Sequence, residues 1–280
     1  MSKGVLLFAN NNEKIDYVKQ AIFCAKRIKK YLRLNVTVVT DSADHMLEKY
    51  KFYTKYIDKV ISVPKLNTEQ KKKFYDGYSY SNLTWHNLSR ASCYSITPYD
   101  QTLVMDTDFI VSSNKLLQCF SSNQDFLINN ESLDLNSYRD TTAEKRVSDT
   151  TIPMYWATVF YFTKTEKTNL LFQLISYIKE NWSYYRLLYN IAGKSFRNDY
   201  AFSIAMHIMA GHRTIEWPKV MPTLHMSTDR DLIIDIQGGK IQMLLENDKF
   251  DIPTCIWNSD IHVMNKFSLD RYIDKDFLNE

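Results

Sequence analysis

Two aspartates separated by one residue stand out in the stretch LVMDTDFIV, residues 103–111. Asp106 and Asp108 follow an apolar run, and buried carboxylates are costly unless a cation neutralises them. In a parallel α/β sheet, ligands collect beyond the carboxyl ends of the strands. Residues two apart on a strand point to the same side. We therefore expect both carboxylates to reach one hard divalent cation that also carries phosphates. The alternative interpretation is a polar strand end whose aspartates cap a turn or a helix.

Composition narrows the ways in which such a site is built. The 280 residues include only six glycines, with neither a GxGxxG nor a GxxxxGK[ST] motif, so a Gly-rich phosphate loop is not expected. Four scattered cysteines without a CxxC pair indicate neither a zinc site nor a disulfide framework. The net charge of +3 is a weak basis for nucleic-acid binding. No run reaches the ~18 apolar residues of a membrane span. The prediction is a protein of the reducing cytoplasm, or of the host cytoplasm if the chain is viral.

The elements that must position the aspartates alternate between strand and helix patterns. Strands are predicted at GVLLFAN, NVTVVTD, KVISV and QTLVMDTD. Helices are predicted from Asp16, as cap, to Leu32, from Ala43 to Tyr53 and from Trp85 to Thr97. Strands alternating with helices predict a mostly parallel central sheet flanked by helices, an α/β fold.

The remaining segments are predicted more coarsely. NTEQKKKFYDGYSYSN (67–82) is predicted to be in part a mobile, exposed loop, and the polar residues 129–152 a long surface loop. Strands are expected at ATVFYF, RTIEW, LIIDIQ and KIQMLLE, and helices at TNLLFQLISYIKENWSYYRLLYNIA and DYAFSIAMHIMA. Since no linker or repeat appears, residues 1–280 are predicted to form one domain.

Three segments together resemble one enzyme family. LSRASCYSITPYDQTLVMDTD (88–108) resembles the glycogenin-like retaining glycosyltransferases, where a helix and an LTxY turn lead into a strand ending MDAD. YVKQAIFCAKRIKK resembles the first helix of that family, and HVMNK resembles its HFxG metal-binding turn. The resemblance implies a single GT-A-type, Rossmann-like domain. Residues 1–110 would then be the nucleotide-sugar-binding half, and residues 111–280 the acceptor-side half with a metal-binding histidine.

The resemblance also implies a pocket for the donor's base. Tyr17 would stack on the uracil of a UDP-sugar, with Phe8, Ala9 and Asn10 as the floor of that pocket. On residue type alone, Tyr17 is equally well a core tyrosine of an amphipathic helix.

The metal ligands implied by the resemblance are Asp106, Asp108 and His262, holding Mn²⁺ or Mg²⁺ against the donor diphosphate. Without the family order, a lone histidine beside apolar residues is more often a satisfied core residue. Lys266 stands near the position of the family's diphosphate-binding lysine, two places early. Asn265 replaces the glycine of the family's HFxG turn.

Two further residues correspond to groups at the reacting centre. Arg90 stands where the family has a lysine that contacts the donor sugar and phosphate. An arginine side chain is able to donate two parallel hydrogen bonds to a phosphate group. Asp199 resembles the acid of the family's DQ step near the anomeric carbon, although a helix N-cap is a compatible alternative. WAT (156–158) replaces the family's NSG, so the acceptor side must be built differently.

The predicted function is metal-dependent sugar transfer from a nucleotide sugar, with UDP as its carrier, to an acceptor hydroxyl with retention. The acceptor stays open between a hydroxymethylated DNA base, as in some phage enzymes, a glycan, a lipopolysaccharide precursor and a protein hydroxyl. Basic residues interleaved with aromatics suit a polyanion; they are Lys71, Lys72, Lys73, Phe74, Tyr75, Tyr78 and Tyr80. A metal-dependent hydrolase or nuclease using the same aspartates is one alternative, and a non-catalytic binding module is another.

Overall fold

The computed structural model describes residues 1–65, 70–86, 90–141, 145–149 and 151–278. Its strands are β1 (Lys3–Phe8), β2 (Asn35–Thr40), β3 (Lys59–Ser62), β4 (Lys71–Tyr75), β5 (Tyr80–Thr84), β6 (Gln101–Met105), β7 (Phe109–Ile110), β8 (Phe126–Asn129), β9 (Ser132–Asp134), β10 (Trp156–Thr163), β11 (Leu224–Ser227), β12 (Leu232–Gln237), β13 (Lys240–Leu245), β14 (Ile252–Trp257) and β15 (Ile261–Val263). Its α-helices are α1 (Tyr17–Tyr31), α2 (Ala43–Lys49), α3 (Cys93–Ile96), α4 (Glu166–Glu180), α5 (Trp182–Leu188), α6 (Asn198–Met209) and α7 (Lys266–Leu278). None of the helices in these ranges is both long and apolar enough to cross a membrane.

The central sheet has the strand order β3-β2-β1-β6-β10-β8. Strands β3, β2, β1 and β6 are parallel, and β10 runs antiparallel to both of its neighbours, β6 and β8. Most residues of β1, β2, β6 and β10 are buried, as expected for strands covered by helices on both faces. The predicted α/β fold with a mostly parallel central sheet flanked by helices is confirmed.

A second sheet, ordered β7-β15-β11-β9, begins directly after the DTD motif. Strand β15 pairs antiparallel with β7, which sets His262 opposite Phe109. This register brings a residue from near the end of the chain beside Asp108. Strands β12, β13 and β14 form an antiparallel meander that packs on α7, where the Tyr272 hydroxyl donates to the Ile236 carbonyl at 2.7 Å.

Helix α1 begins as predicted, because the Asp16 side chain accepts from the Lys19 amide at 3.0 Å. The same carboxylate accepts from the Tyr50 hydroxyl at 2.8 Å and lies 3.0 Å from His45 Nε2. One side chain therefore caps α1 and fastens α2 to it.

The segment predicted as a mobile loop is a β-hairpin, β4 and β5, and that prediction is wrong for its described residues; residues 67–69 lie outside them. Phe74 and Leu83 are buried and pack against Ile15, so alternate side chains of the hairpin find a hydrophobic surface. The turn is closed by Asp76, which accepts from two amides beyond it, and Gly77 supplies a φ of +107°.

Other predicted boundaries also change. The helix expected over 85–97 is a 3₁₀ turn, Arg90–Ser92, followed by α3, and 87–89 lie outside the described residues; Pro98 follows and disfavours continuation. The helix expected over 43–53 divides into α2 and a 3₁₀ helix, Lys51–Tyr56. RTIEW forms no strand. The 129–152 segment contains β9, which pairs with β11; residues 142–144 and 150 are not described.

Candidate metal and donor site

A cavity of about 500 Å³ lies beyond the carboxyl ends of β1 and β6. Phe8 ends β1 and Asp106 follows β6, and the hairpin, β10, α6 and β15 supply the other walls. This is the edge at which parallel α/β sheets collect ligands. The cavity is therefore built from both the first 110 residues and the rest of the chain.

Asp106, Asp108 and His262 converge in this cavity, with one potential ligand atom from each lying within 4.8 Å of the others. His262 Nε2 is 3.3 Å from Asp108 Oδ2 and 3.7 Å from Asp106 Oδ2. The predicted strand geometry is wrong in detail, because β6 ends at Met105. A turn, closed by the Phe109 amide donating to the Asp106 carbonyl at 3.2 Å, aims both carboxylates the same way.

The imidazole of His262 is buried between charged groups. Burial lowers its pKa, and the nearby Lys266 and Lys72 lower it further against the opposing pull of Asp108. A neutral imidazole leaves a nitrogen lone pair for a cation. Two carboxylates and one imidazole are a donor set that fits Mn²⁺, whereas Mg²⁺ prefers oxygen ligands alone.

Basic side chains contact both aspartates. Arg90 pairs with the Asp106 carboxylate and also donates to the Ala157 carbonyl. Lys266 pairs with Asp108 and donates to the Val263 carbonyl at 3.2 Å. Burial would raise the pKa of Asp108, but Lys266 and His262 hold it well below the usual range. Asp108 is consequently ionised across the physiological pH range.

Asp199 is a third ionised carboxylate of the cavity. It lies in the first turn of α6, whose N-cap residue is Arg197, so Asp199 is not itself the cap. Its oxygens accept from the Ala157 amide at 2.9 Å and from Arg197 at 2.8 Å. Burial would raise its pKa, but Arg197 and Arg90 lower it overall. The carboxylate is fixed and charged at the cavity wall.

One residue of β10 links these groups through its backbone. Ala157 accepts from Arg90 with its carbonyl and donates to Asp199 with its amide. Between Trp156 and Phe160 the pairing of β10 with β8 shifts in register. Such an irregularity releases backbone groups from the sheet ladder. The WAT segment thus connects Asp106, through Arg90, to Asp199.

On the predicted base-binding side, Phe8, Asn10 and Tyr17 line the cavity. Ala9 does not, because it is fully buried and its amide donates to the Val39 carbonyl at 2.9 Å. Burial, together with the charges of Asp108 and Asp270, raises the pKa of the Tyr17 phenol, which stays neutral.

Two residues that line the cavity wall, Arg197 and Trp85, were not predicted as site residues. Trp156 of the predicted acceptor side and Lys72 of the predicted polyanion contact line the wall as well. The Lys-rich run was noted as a contact for polyanions, but its hairpin geometry was not. For Arg197 the only signal was its place two residues before Asp199 in RND.

No family model and no curated protein sequence matches the chain. Among solved structures it is similar to the glycosyltransferase GlyE of Streptococcus pneumoniae TIGR4, with a TM-score of 0.42 and 12% identity over 78% of this chain. The chain spans 45% of the length of GlyE. The galactosyltransferase LgtC, in complex with donor and acceptor sugar analogues, is similar with a TM-score of 0.42 and 13% sequence identity. The match covers 72% of this chain and 70% of the LgtC chain. For the 4-diphosphocytidyl-2C-methyl-D-erythritol synthase of Anaerococcus prevotii, the TM-score is 0.38 and the sequence identity 12%. That match covers 80% of this chain and 86% of the synthase chain. Similarity at this level assigns neither a family nor an activity to the chain.

Proposed function

We propose that this chain is a metal-dependent glycosyltransferase of the GT-A type that transfers a sugar from a nucleotide-sugar donor to an acceptor hydroxyl. The observation that carries the proposal is the convergence of Asp106, Asp108 and His262 in a cavity whose wall also presents the aromatic rings of Phe8 and Tyr17. A cation site beside an aromatic wall suits a base joined to a diphosphate. The family resemblance of the sequence agrees with this assignment.

We propose UDP-sugar as the donor and Mn²⁺ as the metal, held by Asp106, Asp108 and His262. When bound, the ion supplies positive charge that stabilises the departing diphosphate. Arg90 and Lys266 add two fixed cations at the same carboxylates, within the same cavity. Their role would be to bind and orient the phosphates of the donor.

We propose that the transfer proceeds with retention of configuration. An inverting transfer needs a base near the acceptor with a pKa suited to accepting a proton. Asp199 is the only carboxylate besides Asp106 and Asp108 among the described cavity-lining residues, and its lowered pKa makes it a poor base. We propose that Asp199 instead stabilises the positive charge that develops at the anomeric carbon.

The test compares UDP-sugar binding and turnover, with and without Mn²⁺, in the native protein and in Asp106→Asn and Asp108→Asn. We expect Mn²⁺ to raise UDP-sugar affinity at least about tenfold in the native protein, because an ion held by Asp106, Asp108 and His262 would add positive charge for the diphosphate. Both variants should lose that gain and the turnover while keeping the native circular dichroism. Asp248→Asn, an exposed carboxylate outside the cavity, is the control.

Two results would contradict the proposal. One is a UDP-sugar affinity that does not respond to Mn²⁺. The other is release of phosphate, or cleavage of nucleic acid, without any sugar donor, which would make the protein a metal-dependent hydrolase or nuclease using the same aspartates.

The acceptor proposed from the sequence, a hydroxymethylated DNA base, requires a route for a polyanion. Lys71 and Lys72 of β4 border the cavity and give such an acceptor two cationic contacts. Glycan and protein hydroxyl groups are the alternatives. Mass spectrometry of each acceptor after incubation with donor and Mn²⁺ decides among them.

A further inference from the structure

Lys72 is a cation that the donor and metal chemistry above does not use. It lies on β4 and lines the cavity. Its ammonium is 5.5 Å from the centroid of the Trp85 ring and 5.9 Å from that of Phe74. Cation–π contacts at such distances orient the side chain without neutralising it. Among the described residues, no carboxylate forms an ion pair with Lys72.

The hairpin that carries Lys72 is firmly attached to the body of the protein. Its inner face packs through Phe74 and Leu83 onto Ile15. Asn12 donates to the Thr84 carbonyl at 3.0 Å, and Arg271 donates to the Asp76 carbonyl at 3.2 Å. Contacts at both ends of the hairpin therefore hold Lys72 at the cavity wall.

Other cations share the electrostatic environment of Lys72. Burial, followed by the charges of Lys266 and Arg197, lowers the pKa of Lys72 to about 8, against the opposing charges of Asp108 and Asp229. Like charges brought together in a partly buried site destabilise one another unless an anion lies among them. Lys266 and Arg197 each have an aspartate partner, Asp108 and Asp199. Of these three cations, Lys72 is the one without an ion pair among the described residues.

The charge of the described cavity lining gives the same result. Among these residues, five cationic side chains face three carboxylates, an excess of two positive charges before any histidine is counted; the cations are Lys71, Lys72, Arg90, Arg197 and Lys266, and the carboxylates are Asp106, Asp108 and Asp199. A divalent metal ion and the two negative charges of a nucleotide-sugar diphosphate cancel each other. The excess of two positive charges therefore remains when the metal ion and the proposed donor are both bound.

We infer that Lys72, together with Arg197, forms a second anion position in the cavity that takes a phosphate group. The inference rests on the proposed function and deepens it. A phosphate-bearing acceptor is the occupant that the surviving charge favours, because the donor diphosphate is already balanced by the metal. A phosphate of the donor itself has the same chemistry, and the experiment separates the two sources.

The test uses the full chain and the variants Lys72→Met and Lys73→Met. Methionine keeps most of the aliphatic stem of lysine and removes the charge. Lys73 neighbours Lys72 on β4, is exposed and lies outside the cavity lining, so its variant is a matched control. Lys72→Arg restores a cation. Circular dichroism and thermal midpoints establish that all variants are folded.

Calorimetry is run in two arms. In the first, UDP is titrated into each protein with Mn²⁺. In the second, sulfate, a tetrahedral dianion, is titrated into each protein saturated with UDP and Mn²⁺. We expect Lys72→Met to weaken sulfate binding about tenfold or more, as loss of a charged hydrogen bond does. Lys73→Met should change it less than twofold, and Lys72→Arg should recover most of it.

The arms identify the source of the phosphate. Weaker sulfate binding with unchanged UDP binding indicates an acceptor phosphate, whereas weaker UDP binding alone indicates a donor phosphate. Unchanged binding in both arms overturns the inference. If the native protein does not bind UDP at all, the proposed function fails by itself. Sulfate is then titrated into the ligand-free proteins, and equal affinity of the native protein and Lys72→Met overturns the anion position as well.

Discussion

At the scale of single residues, each carboxylate of the cavity has its own cation. Arg90 contacts Asp106, Lys266 contacts Asp108, and Arg197 contacts Asp199. Removing one member of such a pair leaves an uncompensated buried charge, which is strongly destabilising. An Asp→Asn replacement also leaves its cationic partner without a counter-charge, but it keeps the shape and one acceptor oxygen, so each such variant is compared with the native protein by circular dichroism and thermal midpoint before its activity is interpreted.

Asp199→Asn separates a chemical role of this carboxylate from a structural one. The asparagine oxygen is still able to accept from the Ala157 amide, so the fold and the donor affinity should remain close to native. We expect kcat to fall about 10²–10³-fold with the donor KM nearly unchanged, as when one preorganised electrostatic contact is lost. Steady-state kinetics with UDP-sugar and Mn²⁺ measure both constants. A variant whose KM rises while kcat stays native would assign Asp199 to donor binding instead.

At the scale of elements, the Asp16 side chain joins the start of α1 to α2. Burial would raise the pKa of this carboxylate, but His45, Tyr50 and the Lys19 amide lower it to about 2. A carboxylate with a lowered pKa in the folded state stabilises the protein above its ordinary pKa. That stabilisation is lost as the pH falls from about 4 to about 2.

We therefore expect Asp16→Asn to reduce the free energy of unfolding by about 1–2 kcal/mol at pH 7. The difference from the native protein should shrink steadily below pH 4, because the Asp16 carboxylate of the unfolded chain is then protonated and folding must release that proton. Urea unfolding at pH 7 and pH 3 measures both values. Glu48→Gln, an exposed change on α2, is the control. A loss at pH 3 as large as that at pH 7 would show that charge is not the cause.

The elements that the sequence predicts well are those specified by short-range patterns. The β1 strand is an apolar run, and α1 has a helical period and a capping aspartate. The hairpin was missed because its stability comes from Phe74 and Leu83 meeting Ile15, a contact that no local pattern contains. Likewise, the register of β15 against β7 places His262 beside Asp108. The sequence predicted that His262 and Asp108 lie together only through the order of the family's motifs, and the residue types alone did not predict it.

At the scale of the whole molecule, the two predicted halves of the chain are interlocked. Strands β8 and β10 from the second half extend the sheet beyond β6. Helix α7 packs on α1, where Lys19 pairs with Asp274 at 2.8 Å and Gln20 donates to Asp270 at 2.7 Å. The cavity likewise combines Asp106 and Asp108 of the first half with His262 of the second.

This interlocking predicts that residues 1–280 unfold in one cooperative transition. Far-UV circular dichroism reports on both halves. The fluorescence of Trp85 reports on the first half when the other four tryptophans, all beyond residue 110, are replaced by phenylalanine. We expect the two urea midpoints to coincide, because the first half loses its sheet neighbour β10 and the cover of α7 when the second half unfolds. UDP with Mn²⁺ should then raise both midpoints equally, since a ligand of the native state stabilises the whole cooperative unit. Two separate midpoints, or a shift of only one of them with ligand, would show that residues 1–110 and 111–280 fold as independent units.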